Sequence, residues 1–248
     1  MITREIQAKS ILSKSGIDGV SYCVNPYVGC AHGCSYCYAS FMKRYTGHRE
    51  PWGDFVDVKM NAPALLERQI LKARPGSIFL STVTDPYQPA EKVYGVTRSC
   101  LEVLSASPFP VDVLTKSPLV LRDMSLFKAF RHAEIGITVT TDDDGVRRVF
   151  EPKAPSIEGR IKALKTLHQA GLSTYAFIGP VLPMNPETLA RMIRPYVNRV
   201  LIDGMNYLSK TRGIYNRKGM GQWLDAGYID EVMMRLRRAL DMEDVSIC

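Results

Sequence analysis

Cys30-Ala31-His32-Gly33-Cys34-Ser35-Tyr36-Cys37 is the stretch on which the reading of this chain turns. Three thiols at C-x3-C-x2-C spacing in one short loop can ligate three irons of a cubane cluster, and no fourth cysteine is near enough in sequence to complete the set. One iron is then left open, and an open position on a metal centre is where a substrate or cofactor binds. Zinc is the other metal these residues allow, because His32 or His48 can join the cysteines in a closed Cys3His site. Against zinc, His32 sits inside the loop between two ligands, and the paired C-x2-C spacing of zinc ribbons is missing. A redox pair at Cys34 and Cys37 leaves Cys30 unexplained.

Outward from the loop, short β-branched or aromatic runs alternate with amphipathic stretches. Tyr22 to Val28, Ile78 to Val83, Val111 to Thr115, Ile135 to Thr141, Thr174 to Ile178 and Val200 to Ile202 read as strands, many of them apolar at successive positions, as a parallel sheet covered on both faces requires. Ser156 can cap a helix carrying Ile157, Ile161, Leu164 and Leu167 at the 3.6 period, with Gly171 to stop it. Ser117-Pro118 and Asn185-Pro186 each pair a cap with proline at the first helical position. Leu65, Leu66, Ile70 and Leu71 form a further apolar stripe, and Ile229, Val232, Met233, Leu236 and Leu240 a C-terminal one. About six strand-helix units without a linker predict an α/β fold, an incomplete (open) parallel β/α barrel, with chemistry at the carboxyl ends of its strands. A doubly wound open sheet is the other arrangement with this period. The expected organisation is one domain over residues 1–248, with a helical extension from about residue 215.

Composition narrows the class. The 248 residues carry 32 Lys and Arg against 25 Asp and Glu, a net charge of +7, with 46% hydrophobic and 23% charged residues; these are globular values. No apolar run approaches the roughly 20 residues of a membrane helix, and the start Met1-Ile2-Thr3-Arg4-Glu5 has no signal-peptide core, so a soluble, cytoplasmic chain is expected. Six cysteines are too few for a disulfide scaffold of this length. The basic excess is spread along amphipathic segments rather than clustered, which fits solvated helix faces better than a dedicated nucleic-acid patch.

C-x3-C-x2-C followed by Tyr38 at the end of a first strand resembles the radical S-adenosylmethionine (SAM) superfamily, in particular its branch related to spore photoproduct lyase. Asn25-Pro26-Tyr27-Val28-Gly29, Thr82 to Glu91, Leu114-Thr115-Lys116-Ser117, Thr138 to Thr141 and Glu151 to Ser156 ahead of Arg160 extend the likeness over roughly residues 20 to 205. The resemblance implies a 4Fe-4S cluster on Cys30, Cys34 and Cys37, with SAM bound at the open iron. An electron from the cluster would cleave SAM to a 5′-deoxyadenosyl radical that takes hydrogen from a substrate, and an external donor of flavodoxin or ferredoxin type would supply that electron.

The resemblance also implies roles. Thr84 and Asp85 would meet the methionine ammonium, Lys116 a carboxylate or ribose oxygen, and Arg160 the carboxylate in bidentate fashion. Thr138 and Thr140 would offer hydroxyls to the ribose, and Tyr36 its backbone or ring to adenine. Where spore photoproduct lyases carry a hydrogen-donating cysteine, this sequence has Thr82, a poor hydrogen-atom donor. Tyr87 is the better-placed radical relay, and Cys100, among Leu101, Val103 and Leu104, reads first as a buried inert thiol. A nucleic-acid base, repaired or modified, is the leading expectation for the substrate, with a peptide or small molecule as the alternative. The reading from another class is a zinc-holding module that binds nucleic acid without catalysis.

Overall fold

Pro26 divides the run Tyr22–Val28 into two short strands that belong to different sheets. Proline brings no N–H to a ladder and restricts the residue before it, so one continuous strand does not form. The computed structural model describes Met1–Cys248. Its residues group into two compact units, one of Met1–Gly33, Tyr38–Thr115 and Leu119–Ile135, the other of Cys34–Cys37, Lys116–Pro118 and Gly136–Cys248.

The first unit runs β1 (Ile2–Ile6), β2 (Leu12–Lys14), β3 (Tyr22–Val24), β4 (Tyr27–Val28), β5 (Phe55–Lys59), α1 (Ala62–Ile70), β6 (Ile78–Leu80), α2 (Glu91–Tyr94), α3 (Val96–Ser105), β7 (Val111–Thr115) and α4 (Met124–Phe127), and β8 (Ala133–Thr138) carries the chain onward. β3, β6 and β7 pair in parallel with Val24 beside Leu80 and Leu80 beside Val113, while β2 closes on β3 antiparallel. A smaller sheet, with β5 between parallel β1 and antiparallel β4, has no counterpart in the sequence reading. β4 has two residues and β1 is largely exposed, while the central β5 is buried; all three lie outside the βα period. α1 packs against α3 and buries Leu66 and Ile70, whereas Leu71 from the expected stripe is 82% exposed. Ser117-Pro118, expected to start an α-helix, leads instead into a 3-10 stretch, Pro118–Asp123.

The second unit continues with α5 (Asp144–Phe150), α6 (Ile157–Gln169), β9 (Ser173–Ile178), α7 (Pro186–Ile193), β10 (Arg199–Ile202), α8 (Leu208–Arg217), α9 (Ala226–Leu240) and β11 (Val245–Ile247). β9, β10 and β11 pair in parallel, with Ala176 beside Val200 and Val200 beside Val245. Ser156 caps α6 by accepting from the Gly159 amide at 3.2 Å, and Asn185 caps α7 from the Thr188 amide at 2.8 Å. α6 buries Leu164 and Leu167, each such side chain contributing about 1.5–3 kcal/mol. The region after residue 215, expected to be helical, also supplies β11, because Val245 packs inward beside Val200. The six expected strands correspond to β3, β6, β7, β8, β9 and β10. No helix is long and apolar enough to cross a membrane.

Candidate active site

The backbone entering the cysteine loop is fixed by side chains from the segment after β6. Gly29, at φ +87°, lies so close to β5 that a Cβ there would meet the Phe55 carbonyl at 2.4 Å, a conformation and a gap that only glycine fits. Its carbonyl accepts from Thr84 Oγ1 at 2.6 Å and from Gln88 Nε2 at 3.2 Å. Gln88 Oε1 accepts the Ala31 amide at 2.9 Å, so one fully buried side chain holds both sides of Cys30. Gln88 lies within the Thr82 to Glu91 stretch, and its Thr84-x3-Gln88 spacing, reaching back to one carbonyl, is the signal that marks it.

Asp85, 8% exposed, accepts from Thr115 Oγ1 at 2.6 Å and from the Tyr87 amide at 2.9 Å. His32 Nε2 stands 3.2 Å from Asp85 Oδ2, at ion-pair distance but out of hydrogen-bonding alignment. Thr82 accepts from Asn25 Nδ2 at 3.3 Å, and its carbonyl accepts from the Tyr38 hydroxyl. Tyr87 is buried and donates to Asp123 Oδ2 at 3.0 Å. Asp123 and Glu91, both fully buried, share the guanidinium of Arg122, which donates to them at 2.8 and 2.6 Å. Cys100 lies wholly buried in α3, where burial and the Glu91 charge raise its thiol above the ordinary range.

In the second unit, the predicted residues Tyr36, Lys116, Thr140 and Arg160 converge on one group the sequence did not single out, the carboxylate of Glu151, while Thr138 meets Arg160 through its carbonyl. Tyr36 Oη and Arg160 Nη2 both donate to it, Thr140 Oγ1 donates at 3.0 Å, and Lys116 Nζ lies 3.9 Å away. Burial alone would raise the Glu151 carboxyl, but the Arg160 and Lys116 charges and the bonds from Arg160 and Tyr36 hold it down to about 2. Burial, the nearby Cys34 and Glu151 raise the Tyr36 phenol in turn.

Arg160, expected on a SAM carboxylate, is bonded in this structure to Glu151 and two backbone carbonyls. Its side chain is fully buried, with Nη2 on Glu151, Nη1 on the Thr138 carbonyl at 3.2 Å and Nε on the Pro155 carbonyl at 3.0 Å. Three of its five N–H donors are thus taken by protein oxygens, the Glu151 carboxylate among them.

Cys34 and Cys37 are joined by a tight turn, with the Cys37 amide donating to the Cys34 carbonyl at 3.2 Å. The Ser35 amide donates to Phe150 O at 2.8 Å, and Lys210 Nζ of α8 donates to the Cys37 carbonyl at 2.6 Å. Burial pushes the Cys34 thiol up to about 12, with Lys116 opposing and Glu151 and Cys37 adding to the rise.

None of the six cysteines forms a disulfide. Within the loop, His32 Nδ1 and Ser35 Oγ are buried without hydrogen-bond partners. Three reduced sulfurs beside orphaned donors suit an iron–sulfur cluster, whose sulfides accept hydrogen bonds. A closed Cys3His zinc site would need a histidine beside the cysteines, and His48 is held instead by Glu50 and Asp57 at 3.0 and 2.8 Å.

Residues 24–195 match the Radical SAM superfamily, more than half of the chain, and the protein belongs to that superfamily. It is 38% identical over 204 residues to an uncharacterized protein of Methanocaldococcus jannaschii, covering 82% of this chain and 77% of that one. Its structure is similar to spore photoproduct lyase complexed with dinucleoside spore photoproduct, with a TM-score of 0.72 at 13% identity over 99% of this chain and 81% of that one. It is also similar to Streptococcus suis SuiB bound to the precursor peptide SuiA, with a TM-score of 0.60 at 13% identity over 90% of this chain and 48% of that one. The fold is thus the radical SAM fold expected from the sequence, α/β with a mainly parallel sheet, and the protein is an enzyme of that superfamily. Membership implies SAM and an iron–sulfur cluster.

Proposed function

We propose that this enzyme holds a 4Fe-4S cluster on Cys30, Cys34 and Cys37, binds SAM beside it, and abstracts hydrogen from a nucleic-acid base. The observation that carries this reading is the cysteine loop itself: reduced thiols on a backbone tied at Gly29, Ala31 and Cys37 by Thr84, Gln88 and Lys210, with unpartnered buried donors at His32 and Ser35. When bound, the cluster supplies the electron that cleaves SAM to methionine and a 5′-deoxyadenosyl radical. The chain's own part is to position and to exclude water. Asp85, oriented by Thr115 and the Tyr87 amide, accepts from the SAM ammonium. Lys116 faces the carboxylate or ribose, and Thr138 and Thr140 the ribose. Arg160 fixes Glu151, which fixes the Tyr36 ring for adenine. The electron comes from a flavodoxin- or ferredoxin-type donor in a reducing, cytoplasmic setting.

A base is favoured as substrate by the likeness to a lyase solved with a dinucleoside photoproduct and by the net charge of +7. With Thr82 in place of a hydrogen-donating cysteine, modification of the base fits as well as repair, and Tyr87 is the residue that could relay a radical. The likeness to SuiB bound to a precursor peptide supports a peptide as the second reading.

Anaerobic reconstitution with iron and sulfide, reduction and assay for 5′-deoxyadenosine test the chemistry, with Cys34→Ala as control. Formation that disappears in Cys34→Ala is the expected result. One zinc per chain and no iron–sulfur absorbance would overturn the cluster assignment and the proposed chemistry with it. Deuterium carried from labelled single-stranded DNA into 5′-deoxyadenosine is expected if a base is the substrate; its absence, with transfer from a peptide, would replace the base by the peptide.

A further inference from the structure

Directly after Cys37 the chain forms a 3-10 stretch, Tyr38–Tyr45. With three residues per turn, side chains three apart line up, so Tyr38, Phe41 and Arg44 fall in one row with Tyr45 beside its end. Tyr38, Phe41 and Tyr45 are 43%, 39% and 71% exposed, and Tyr207 is the one other exposed Phe, Tyr or Trp in the molecule. Three of these four rings within eight residues form a patch rather than scattered surface apolarity.

The patch is also charged. Arg44 Cζ lies 5.8 Å from the Phe41 ring and 6.0 Å from the Tyr45 ring, and the two rings meet edge to face at 6.5 Å. Arg44 Nε donates to the Phe41 carbonyl at 3.2 Å, and Lys43 Nζ to the Arg49 carbonyl at 3.0 Å. Carbonyl partners orient these cations without neutralising them. The nearby carboxylates Glu50 and Asp57 are both taken up by His48, at 3.0 and 2.8 Å. A depression of about 520 Å³ opens among Ser40, Phe41, Lys43, Arg44, Gly47 and His48.

Exposed ring faces interleaved with oriented, unneutralised cations suit a ligand that has both π faces and a regular negative backbone. A single-stranded nucleic acid is that ligand, because every base can stack and every phosphate can pair. An acidic peptide would use the cations and leave the rings idle. We propose that Phe41, Arg44 and Tyr45, with Lys43 and Arg49, form a platform on which bases of a single-stranded nucleic acid stack, seating the strand on the element that follows Cys37. The purpose of this platform rests on the proposed action on a base; the binding itself does not.

The test is fluorescence anisotropy of a labelled oligothymidylate of about twelve nucleotides with the full chain at several salt concentrations. Tyr45→Ala and Phe41→Ala should each weaken binding about tenfold, Tyr45→Trp should restore it, and Arg44→Gln should lower the salt slope by about 0.7. Far-UV circular dichroism checks folding, which exposed Tyr45 leaves undisturbed. Unchanged affinity in both alanine variants, or equal affinity for an acidic peptide of matched charge, would overturn the platform. Deoxyadenosine release by the unaltered enzyme separates the two proposals. Ring-dependent binding with no SAM cleavage would leave the platform standing and end the proposed activity, whereas oligonucleotide-dependent cleavage indifferent to Tyr45 and Phe41 would do the reverse.

Discussion

A carboxylate with two hydrogen-bonded hydroxyls, a guanidinium and an ammonium around it, as Glu151 has, is stable only while every partner stays. Removing its charge leaves Arg160 buried and unpaired. Glu151→Gln should therefore lower the unfolding free energy by about 3–5 kcal/mol in urea titration, while Glu151→Leu combined with Arg160→Leu should lose less than either single change. If Glu151→Gln unfolds at the wild-type urea concentration, the pair does not have this role. Gln88 presents a smaller case. Gln88→Leu strands the Ala31 amide and should cost about 1–3 kcal/mol. It should also reduce iron retained per chain after reconstitution, because the loop around Cys30 loses its anchor; full iron content would refute that link.

At the scale of elements, two of the three expected helix starts form as the sequence indicates, Ser117-Pro118 being the exception, and the short strands of the smaller sheet carry no signal. Ser156 and Asn185 cap α6 and α7 as their sequence positions indicate, since a cap needs only residues three apart. The smaller sheet went unread because β4 has two residues and β1 is mostly exposed, so neither carries a hydrophobic period. Asp144 at the start of α5 accepts from Arg147 at 2.9 Å and from the Ile157 amide at 3.1 Å, linking α5 to α6. Those hydrogen bonds, Arg147 first, bring its carboxyl from 3.8 to about 2. A lowered folded-state value contributes stability above the unfolded value and loses it as pH falls toward the folded one. Asp144→Asn should cost about 1 kcal/mol at neutral pH after solvent screening. The gap to wild type should close between about pH 4 and pH 2; a gap constant across that window would refute the assignment.

For the whole molecule, ligand and stability are linked: a ligand bound only by the folded state raises the unfolding free energy, by about 2.7 kcal/mol at a hundredfold excess over Kd. SAM should raise the thermal midpoint of the reconstituted chain and leave Cys34→Ala unmoved, because the proposed open iron is then gone. Equal shifts in both would place SAM away from the cysteine loop. Asp85→Ala should keep the iron–sulfur absorbance and reduce the SAM-induced shift, and an undiminished shift would remove Asp85 from the site.

The sequence by itself determined the α/β class, six strands of the parallel sheet, the caps Ser156 and Asn185 and the superfamily, because these rest on periods and spacings that neighbouring residues carry. Tyr36, Lys116, Thr140 and Arg160 are named in it one by one, not as a group. Only the tertiary structure decided that Glu151 is the centre of that group, that Arg160 is committed to it, and that Gln88 brackets Cys30. The partners of these bonds lie 115, 9 and 57 residues apart in the chain, as do Tyr36 from Glu151, Arg160 from Glu151 and Gln88 from Ala31. A buried polar group takes whichever partner the fold brings within 3 Å or so, and that choice leaves no periodic trace in the sequence.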